Sequence, residues 1–171
     1  MIIDFLKFLW EVFERHILPF QVIRIYERGV MLTLGKWPKL IEPGLRFKLP
    51  FIQEILTSPI MPDTLTTKAV HVTTLDGKTI TVQPAIEYEI DNAQKWLIDC
   101  TDAVTNLHDL TRGFVADYLT DVTWEDAIKK QTTTAIKKKL NSKVQDELGC
   151  KVTLLMFTEI CQNRVILTSF S

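Results

Sequence analysis

Side chains capable of acid–base, metal-binding or nucleophilic chemistry are scattered along this 171-residue chain rather than grouped. The three histidines, His16, His71 and His108, fall in different predicted elements, and none has the HxxxH or HExxH spacing of a zinc site. The sequence contains no GxSxG, P-loop or GxGxxG motif. It therefore predicts no catalytic residue, no metal site and no cofactor, and a protein that is not an enzyme.

Acidic and sulfur-containing side chains have ordinary structural explanations. Five aspartates surround one predicted helix: Asp99, Asp102, Asp109, Asp117 and Asp121. Carboxylates near a helix start are favourable without any function, so we interpret them as a solvated surface. The cysteines are Cys100, Cys150 and Cys161. Because they are odd in number and far apart, they favour free core thiols in a reducing compartment over a disulfide framework, with lipidation as an unsupported alternative.

Composition describes a globular domain that is almost electrically neutral. Apolar residues make up 46% of the chain and charged residues 24%, and 20 basic against 21 acidic side chains give a net charge of −1. Proteins that bind duplexes usually carry a basic excess, so we expect no nucleic-acid partner. Uncharged runs are too short for a polytopic membrane protein, because a spanning helix needs about 20 apolar residues.

Short strands with turn signals fill the first half of the chain, and helical patterns fill most of the second. The clearest strand pair is joined by an Asp-Gly turn at Asp76 and Gly77, and Pro84 marks a bulge or an edge. Gly29 and Gly35 are expected to supply positive φ at turns. The predicted strands cover 21–26, 30–34, 45–49, 69–74, 79–90 and 151–160.

Three helices are predicted between the last two strands. The first covers 93–98, the second begins with Thr101 as its cap, and the third runs from a Thr123 cap to Leu148, with Gly149 as its stop. Strands first, helices next and one strand last predict an α+β fold with an antiparallel sheet of short strands.

The first twenty residues predict an amphipathic helix, ending at Pro19, whose charges fall within an arc of roughly 100°. Its apolar side consists of Phe5, Leu6, Phe8, Leu9, Trp10, Val12, Phe13, Ile17 and Leu18. A position across the bilayer is disfavoured for this helix, because three central charges would cost roughly 2.5–3.5 kcal/mol each, while the apolar residues contribute only about 0.3–0.6 kcal/mol each. The segment is therefore predicted to lie in a membrane interface, with docking on a protein surface as the alternative.

The third predicted helix carries an apolar stripe spaced by multiples of four. Its members are Trp124, Ile128, Ile136, Leu140, Val144 and Leu148. Each four-residue step overshoots a full turn by about 40°, so the stripe winds around the helix and one flat neighbour cannot cover it. We predict that its N-terminal half packs on its own sheet and that Leu140, Val144 and Leu148 contact an adjacent subunit. The lysines of this helix scatter around it and are interpreted as a solvated surface.

Three stretches of the sequence together resemble one known family. Residues 26–51 contain ERGV, then LGK, then EPGLRFKLPF. Residues 66–90 contain a TTK motif and a strand pair around LDGK, and residues 119–152 contain LTDVTWED followed by GCKV. Together they cover roughly residues 21–160 and resemble the SPFH domain, the band 7 family of stomatin, prohibitin and flotillin.

The resemblance implies an α+β SPFH/band 7 domain at 21–160, behind a membrane-interface helix at 1–20 and before a short tail at 161–171. It implies a non-enzymatic peripheral membrane scaffold that forms homo-oligomers, organises microdomains and modulates integral membrane proteins. Many family members begin with a spanning helix or hydrophobic hairpin and continue into a coiled coil, and this sequence has neither. A flat ring, a small oligomer and a weakly associated coat therefore stay open, as does a chain truncated before a coiled coil. The free cysteines favour the cytoplasmic side.

Two alternatives accompany this interpretation. Leu45, Phe47, Leu49 and Phe51 form either ordinary core or a second membrane contact, and the intervening Arg46 and Lys48 are either lipid-headgroup ligands or solvated strand charges. The rival function is a soluble adaptor or inhibitor domain whose N-terminal helix docks in a groove on a protein partner.

Overall fold

The computed structural model describes residues 20–162, together with residues 3, 4 and 7. Eight strands come first: β1 Phe20–Ile23, β2 Glu27–Thr33, β3 Lys36–Ile41, β4 Gly44–Phe47, β5 Gln53–Pro59, β6 Asp63–Thr66, β7 Val70–Thr73 and β8 Thr79–Ile90. They are followed by a π-helical turn Lys95–Asp99, α1 Ala103–Thr120, α2 Trp124–Ala127, α3 Lys130–Glu147 and a last strand, β9 Cys150–Gln162. This order confirms the predicted α+β fold. Apart from residues 3, 4 and 7, the predicted amphipathic helix lies outside the described residues, and so does the tail beyond Gln162.

Strands β1–β5 form a thin N-terminal layer with a small core. β1 pairs with β4, and β2 lies between β3 and β5, all antiparallel. Ile23, Ile41 and Ile55 form the buried cluster. A Cβ on Gly29 would lie 2.9 Å from Ile23 Cδ1 and 3.0 Å from Ile41 Cγ1. Gly29 therefore permits close packing, and the prediction that it supplies a positive φ is wrong; Gly35 does so, with φ 68°.

Strands β6–β9 and the helices form a thicker C-terminal layer, with β8 at its centre. β9 pairs along almost the whole of β8, so β6 and β7 share the opposite side of that strand. The β8–β9 register shifts between Gln83 and Pro84. Pro84 therefore marks a bulge rather than an edge, because a proline has no N–H for the ladder.

Helix boundaries follow local capping rules, with two corrections. Asp102, not Thr101, caps α1, and its Oδ1 accepts from Thr105 N at 3.1 Å. Thr123 caps α2 as predicted, accepting from Asp126 N at 3.4 Å. The predicted third helix is divided after α2, and α3 begins at Lys130.

The winding stripe is covered from two directions within one chain. α3 packs against both β9 and α1. Leu140 and Val144 are 0% exposed and Leu148 is 3% exposed. The prediction that these three side chains contact an adjacent subunit is therefore wrong, because the chain's own elements already surround them. Ile128, predicted to pack on the sheet, is 56% exposed because it falls in the break between α2 and α3.

Candidate membrane-contact surface

The β1–β4 ribbon presents apolar side chains on its outer face. The register pairs Phe20 with Phe47 and Val22 with Leu45, and all four side chains are exposed. The Phe20 and Phe47 rings meet edge to face with centroids 5.6 Å apart. Because strand side chains alternate, Ile23 points the other way, into the small core.

The turn after β4 continues this apolar face. Leu49, Phe51 and Ile52 are all exposed, Phe51 by 86%. Gln53 holds the turn from both sides: its N–H donates to Leu49 O at 2.9 Å, and its side-chain Oε1 accepts from Leu49 N at 2.9 Å. The turn is thus a fixed structure that carries large apolar groups outward.

The β2–β3 hairpin tip lies against the same turn. Leu34 N donates to Ile52 O at 2.7 Å, which joins the tip to the turn. Leu34 is 64% exposed and Trp37, at the start of β3, is 67% exposed. Two separate turns therefore contribute bulky apolar side chains to one end of the layer.

Backbone strain is concentrated at these exposed side chains. Leu34, Trp37 and Phe51 have φ of 53°, 52° and 67°. Among the described residues, they are the non-glycine positions with positive φ. A bulky residue in this region costs roughly 1–3 kcal/mol, and such strain clusters at functional sites. We name the assembled patch the tip surface; its members are Phe20, Leu34, Trp37, Phe47, Leu49, Phe51 and Ile52.

Charge around the tip surface is positive. Residues 34–52 contain four cations, Lys36, Lys39, Arg46 and Lys48, against one acid, Glu42, a net charge of +3. Arg46 donates from Nε and one terminal nitrogen to Glu42 O, at 3.2 and 3.1 Å, which fixes its guanidinium beside the ribbon. Aromatic side chains bordered by cations are typical of membrane–water interfaces.

The structure separates the two interpretations of the predicted second contact. Leu45, Phe47, Leu49 and Phe51 are all exposed, so the ordinary-core interpretation is wrong. The prediction from sequence missed Phe20, Leu34, Trp37 and Ile52; the last three lie in or next to turns, which is their only local signal. The predicted membrane contacts Phe5, Leu6, Phe8, Leu9, Trp10, Val12, Phe13, Ile17 and Leu18 lie outside the described residues. Among the residues that are described, no helix combines the length and hydropathy needed to cross a bilayer.

The candidate chemical groups stay apart. His71 lies on β7, with Nδ1 2.8 Å from Thr81 Oγ1. His108 lies on α1, and its Nε2 accepts from Lys68 N at 3.2 Å.

The cysteines occupy three different environments. Cys150 is buried, Cys100 is half-buried and Cys161 is exposed, so the core interpretation is wrong for Cys161. Burial raises the pKa of the Cys150 thiol to about 12, which suppresses its thiolate form.

Comparison with known proteins identifies the class. The model of the SPFH domain / Band 7 family matches residues 21–157, and the chain belongs to this family. Among curated relatives, the modulator of FtsH protease HflK from Escherichia coli (strain K12) is 31% identical over 108 residues, covering 60% of this chain and 25% of that protein. Protein HflK of Vibrio cholerae is 31% identical over 106 residues, covering 60% and 27%. An uncharacterized protein of Methanothermobacter thermautotrophicus is 27% identical over 136 residues, covering 77% and 42%. The chain thus spans about a quarter of the length of the two HflK proteins.

Proposed function

We propose that this SPFH-domain chain is a non-enzymatic protein that binds a membrane surface, associates laterally with copies of itself and modulates an integral membrane protein. The observation that carries the membrane part is the tip surface, in which three strained, exposed apolar residues are joined across two turns. The E. coli relative is named a modulator of a protease. A protease is therefore the first class of partner to test.

Energetics favour a lipid surface as the ligand of the tip surface. Burying a Leu or Phe side chain completely contributes roughly 1.5–3 kcal/mol, so these partly covered side chains contribute about 1 kcal/mol each. A lysine or arginine near an anionic bilayer adds about 1 kcal/mol. Together, several such terms give a larger binding free energy than one isolated surface leucine could provide. Isolated exposed leucines are common and need no functional explanation.

Position along the chain also supports the proposal. β1 starts at Phe20, directly after the predicted interfacial segment 1–19, and Phe20 contacts Phe47 in the tip surface. The chain therefore enters the described fold at the tip surface. In the proposal, the N-terminal segment 1–19 and the tip surface bind the same membrane.

Vesicle flotation tests the proposal with matched variants. The first variant is Leu34→Ser, Trp37→Ser and Phe51→Ser. The control is Met61→Ser, Leu75→Ser and Ile128→Ser, which removes equally exposed apolar groups elsewhere. On vesicles of phosphatidylcholine and phosphatidylglycerol, we expect at least tenfold weaker binding for the first variant and little change for the control.

Two further samples locate the anchor. A chain lacking residues 1–19 should bind more weakly than the intact chain, and combining this deletion with the tip-surface variant should abolish flotation. Equal flotation of the tip-surface variant and its control would show that the tip surface does not contribute to membrane binding. If the intact, folded chain does not float, membrane binding is wrong and the adaptor function replaces it.

A further inference from the structure

An acidic groove lies on the C-terminal layer, away from the tip surface residues. It has a volume of about 730 Å³ and is bounded by α1 from Asn106 to Asp117, the end of the π-helical turn and the end of α3. Leu110 and Phe114, both half-buried, supply its accessible apolar lining, and Leu148, which also borders it, is only 3% exposed. Its rim carries the four carboxylates of Asp99, Asp109, Asp117 and Glu147. A groove with this lining fits an apolar side chain flanked by cations.

Only half of the rim charge is neutralised locally. Asp109 Oδ1 lies 3.1 Å from His108 Nδ1 and 4.0 Å from Arg112, and Glu147 pairs with Lys143. Asp99 and Asp117 form no ion pair within the part of the chain that the structure describes. These two carboxylates are exposed and hold charge that a partner can meet.

A basic face of matching character lies at the other end of α3. It surrounds a hollow of about 330 Å³ whose lining includes Lys130, Lys137, Lys138 and Leu154. Lys137 Nζ donates to Thr153 O at 2.6 Å, so it is held by β9. Lys130 and Lys138 are exposed and have no acidic partner among the described residues. Leu154 on β9, which is 43% exposed, provides an apolar group in the lining of the same hollow.

We propose that the acidic groove of one copy binds the basic face of a second copy. In this contact, Asp99 and Asp117 of one copy pair with Lys130 and Lys138 of the second copy. Leu154 of the second copy covers the apolar lining of the groove. The inference rests on the lateral association proposed above and specifies its interface. It replaces Leu140, Val144 and Leu148, which are buried and cannot meet a neighbour.

Placement of the two surfaces determines the kind of assembly. α3 is about 27 Å long at 1.5 Å per residue, and the surfaces lie towards its opposite ends. The groove adjoins α1, whereas the basic face adjoins β9. Each subunit therefore keeps one surface free after a single contact. Such head-to-tail contacts extend into a ring or a row, and they suit lateral growth on a membrane.

A charge swap tests the contact. One variant carries Asp99→Lys and Asp117→Lys, and the other carries Lys130→Glu and Lys138→Glu. Each alone places like charges in contact, so we expect at least tenfold weaker self-association by analytical ultracentrifugation. An equimolar mixture restores both contacts in alternation and should associate as strongly as the unmodified chain. A control with Glu125→Lys and Glu159→Lys makes the same charge change as the aspartate variant at other exposed sites.

Cross-linking adds a readout at the residue level. A carbodiimide joins a carboxylate to an amine at contact distance, so we expect links between Asp99 or Asp117 of one copy and Lys130 or Lys138 of another. Failure of the mixture to restore association would overturn the proposed interface.

Flotation of the same samples separates the two proposals. A chain that floats but does not associate contradicts the interface alone. A chain that associates but does not float contradicts membrane binding alone.

Discussion

The two layers of this SPFH domain use their apolar residues in opposite ways. Among the described residues, the N-terminal layer buries a cluster of three isoleucines, while the C-terminal layer buries a cluster of nineteen residues. Yet the N-terminal layer carries the tip surface, with aromatic and leucine side chains that would suffice for a larger core. The layer with the smaller buried cluster therefore leaves large apolar groups exposed, and the proposal places a membrane against them.

The buried apolar core and the proposed membrane contact thus lie mainly in different layers. Burial of apolar area is the dominant favourable term in folding, so the C-terminal layer supplies most of it. The N-terminal layer also contains the strained residues, which lower its stability further. We expect it to open more readily than the C-terminal layer, and the core and glycine variants below test that difference.

The largest effect is expected in the C-terminal core. Leu140→Asp with Val144→Asp places two carboxylates at fully buried positions, where unpaired charges cost the most. We expect a loss of about 4 kcal/mol or more and an unfolded chain. Circular dichroism and urea titration provide the measurement. The paired comparison is Leu34→Asp with Phe51→Asp in the tip surface, which should remain folded; a folded monomer for the core variant would contradict the description of α3.

A second comparison uses two glycines. A Cβ on Gly149 would lie 2.8 Å from Lys95 Cβ and 2.9 Å from Asn92 O, at a φ of 69°. Gly149→Ala combines steric and conformational strain, so we expect a loss of about 2–3 kcal/mol across the whole molecule.

Gly29→Ala should have a smaller and more local effect. Its Cβ would press on flexible ends of Ile23 and Ile41, so we expect about 1 kcal/mol, confined to the N-terminal layer. Amide hydrogen exchange of the Gly29→Ala variant provides the measurement. Faster exchange limited to β1–β5 supports a difference in stability between the two layers, while equally faster exchange in β8 and β9 contradicts it.

Acid should weaken the hairpin that anchors the C-terminal layer. Hydrogen bonds from Thr74 Oγ1 and Lys78 Nζ, with a further one from Trp124 N, lower the pKa of Asp76 from 3.8 to about 2. Because the folded pKa lies below the unfolded one, this stabilisation is complete above about pH 4 and is lost as the pH falls towards 2.

Urea titrations between pH 5 and 2 test this dependence. The unmodified chain should lose more stability over that interval than Asp76→Asn, which has no carboxylate to protonate. Identical slopes for the two chains would show that Asp76 does not contribute to the acid sensitivity.

The smallest expected signal is spectroscopic. In a chain whose only tryptophan is Trp37, with the other three replaced by phenylalanine, emission should shift to the blue on vesicles, because the exposed indole moves into the interface. A matched chain that keeps only Trp96, which is buried and stacked on Tyr88, should not respond. Equal responses would indicate a general rearrangement rather than contact at the tip surface.

Local physical chemistry allowed much of this fold to be read from the sequence alone. The Asp-Gly turn between β7 and β8, the cap at Thr123 and the stop at Gly149 each depend on a few neighbouring residues, and each was predicted. The alternation along β8 and the order of elements were sufficient for the α+β class. The motifs around ERGV and EPGLRFKLPF were sufficient for the family.

Tertiary structure alone decided which apolar residues face inward. Phe51 and Leu140 are both apolar residues within apolar patterns, yet one is exposed and the other is buried. Burial depends on the neighbours that distant segments supply. β9 and α1 pack against α3, whereas the described residues leave Phe51 86% exposed. The positive φ of Leu34 and Trp37 and the pairing of β1 with β4 likewise follow from long-range contacts, which local periodicity does not encode.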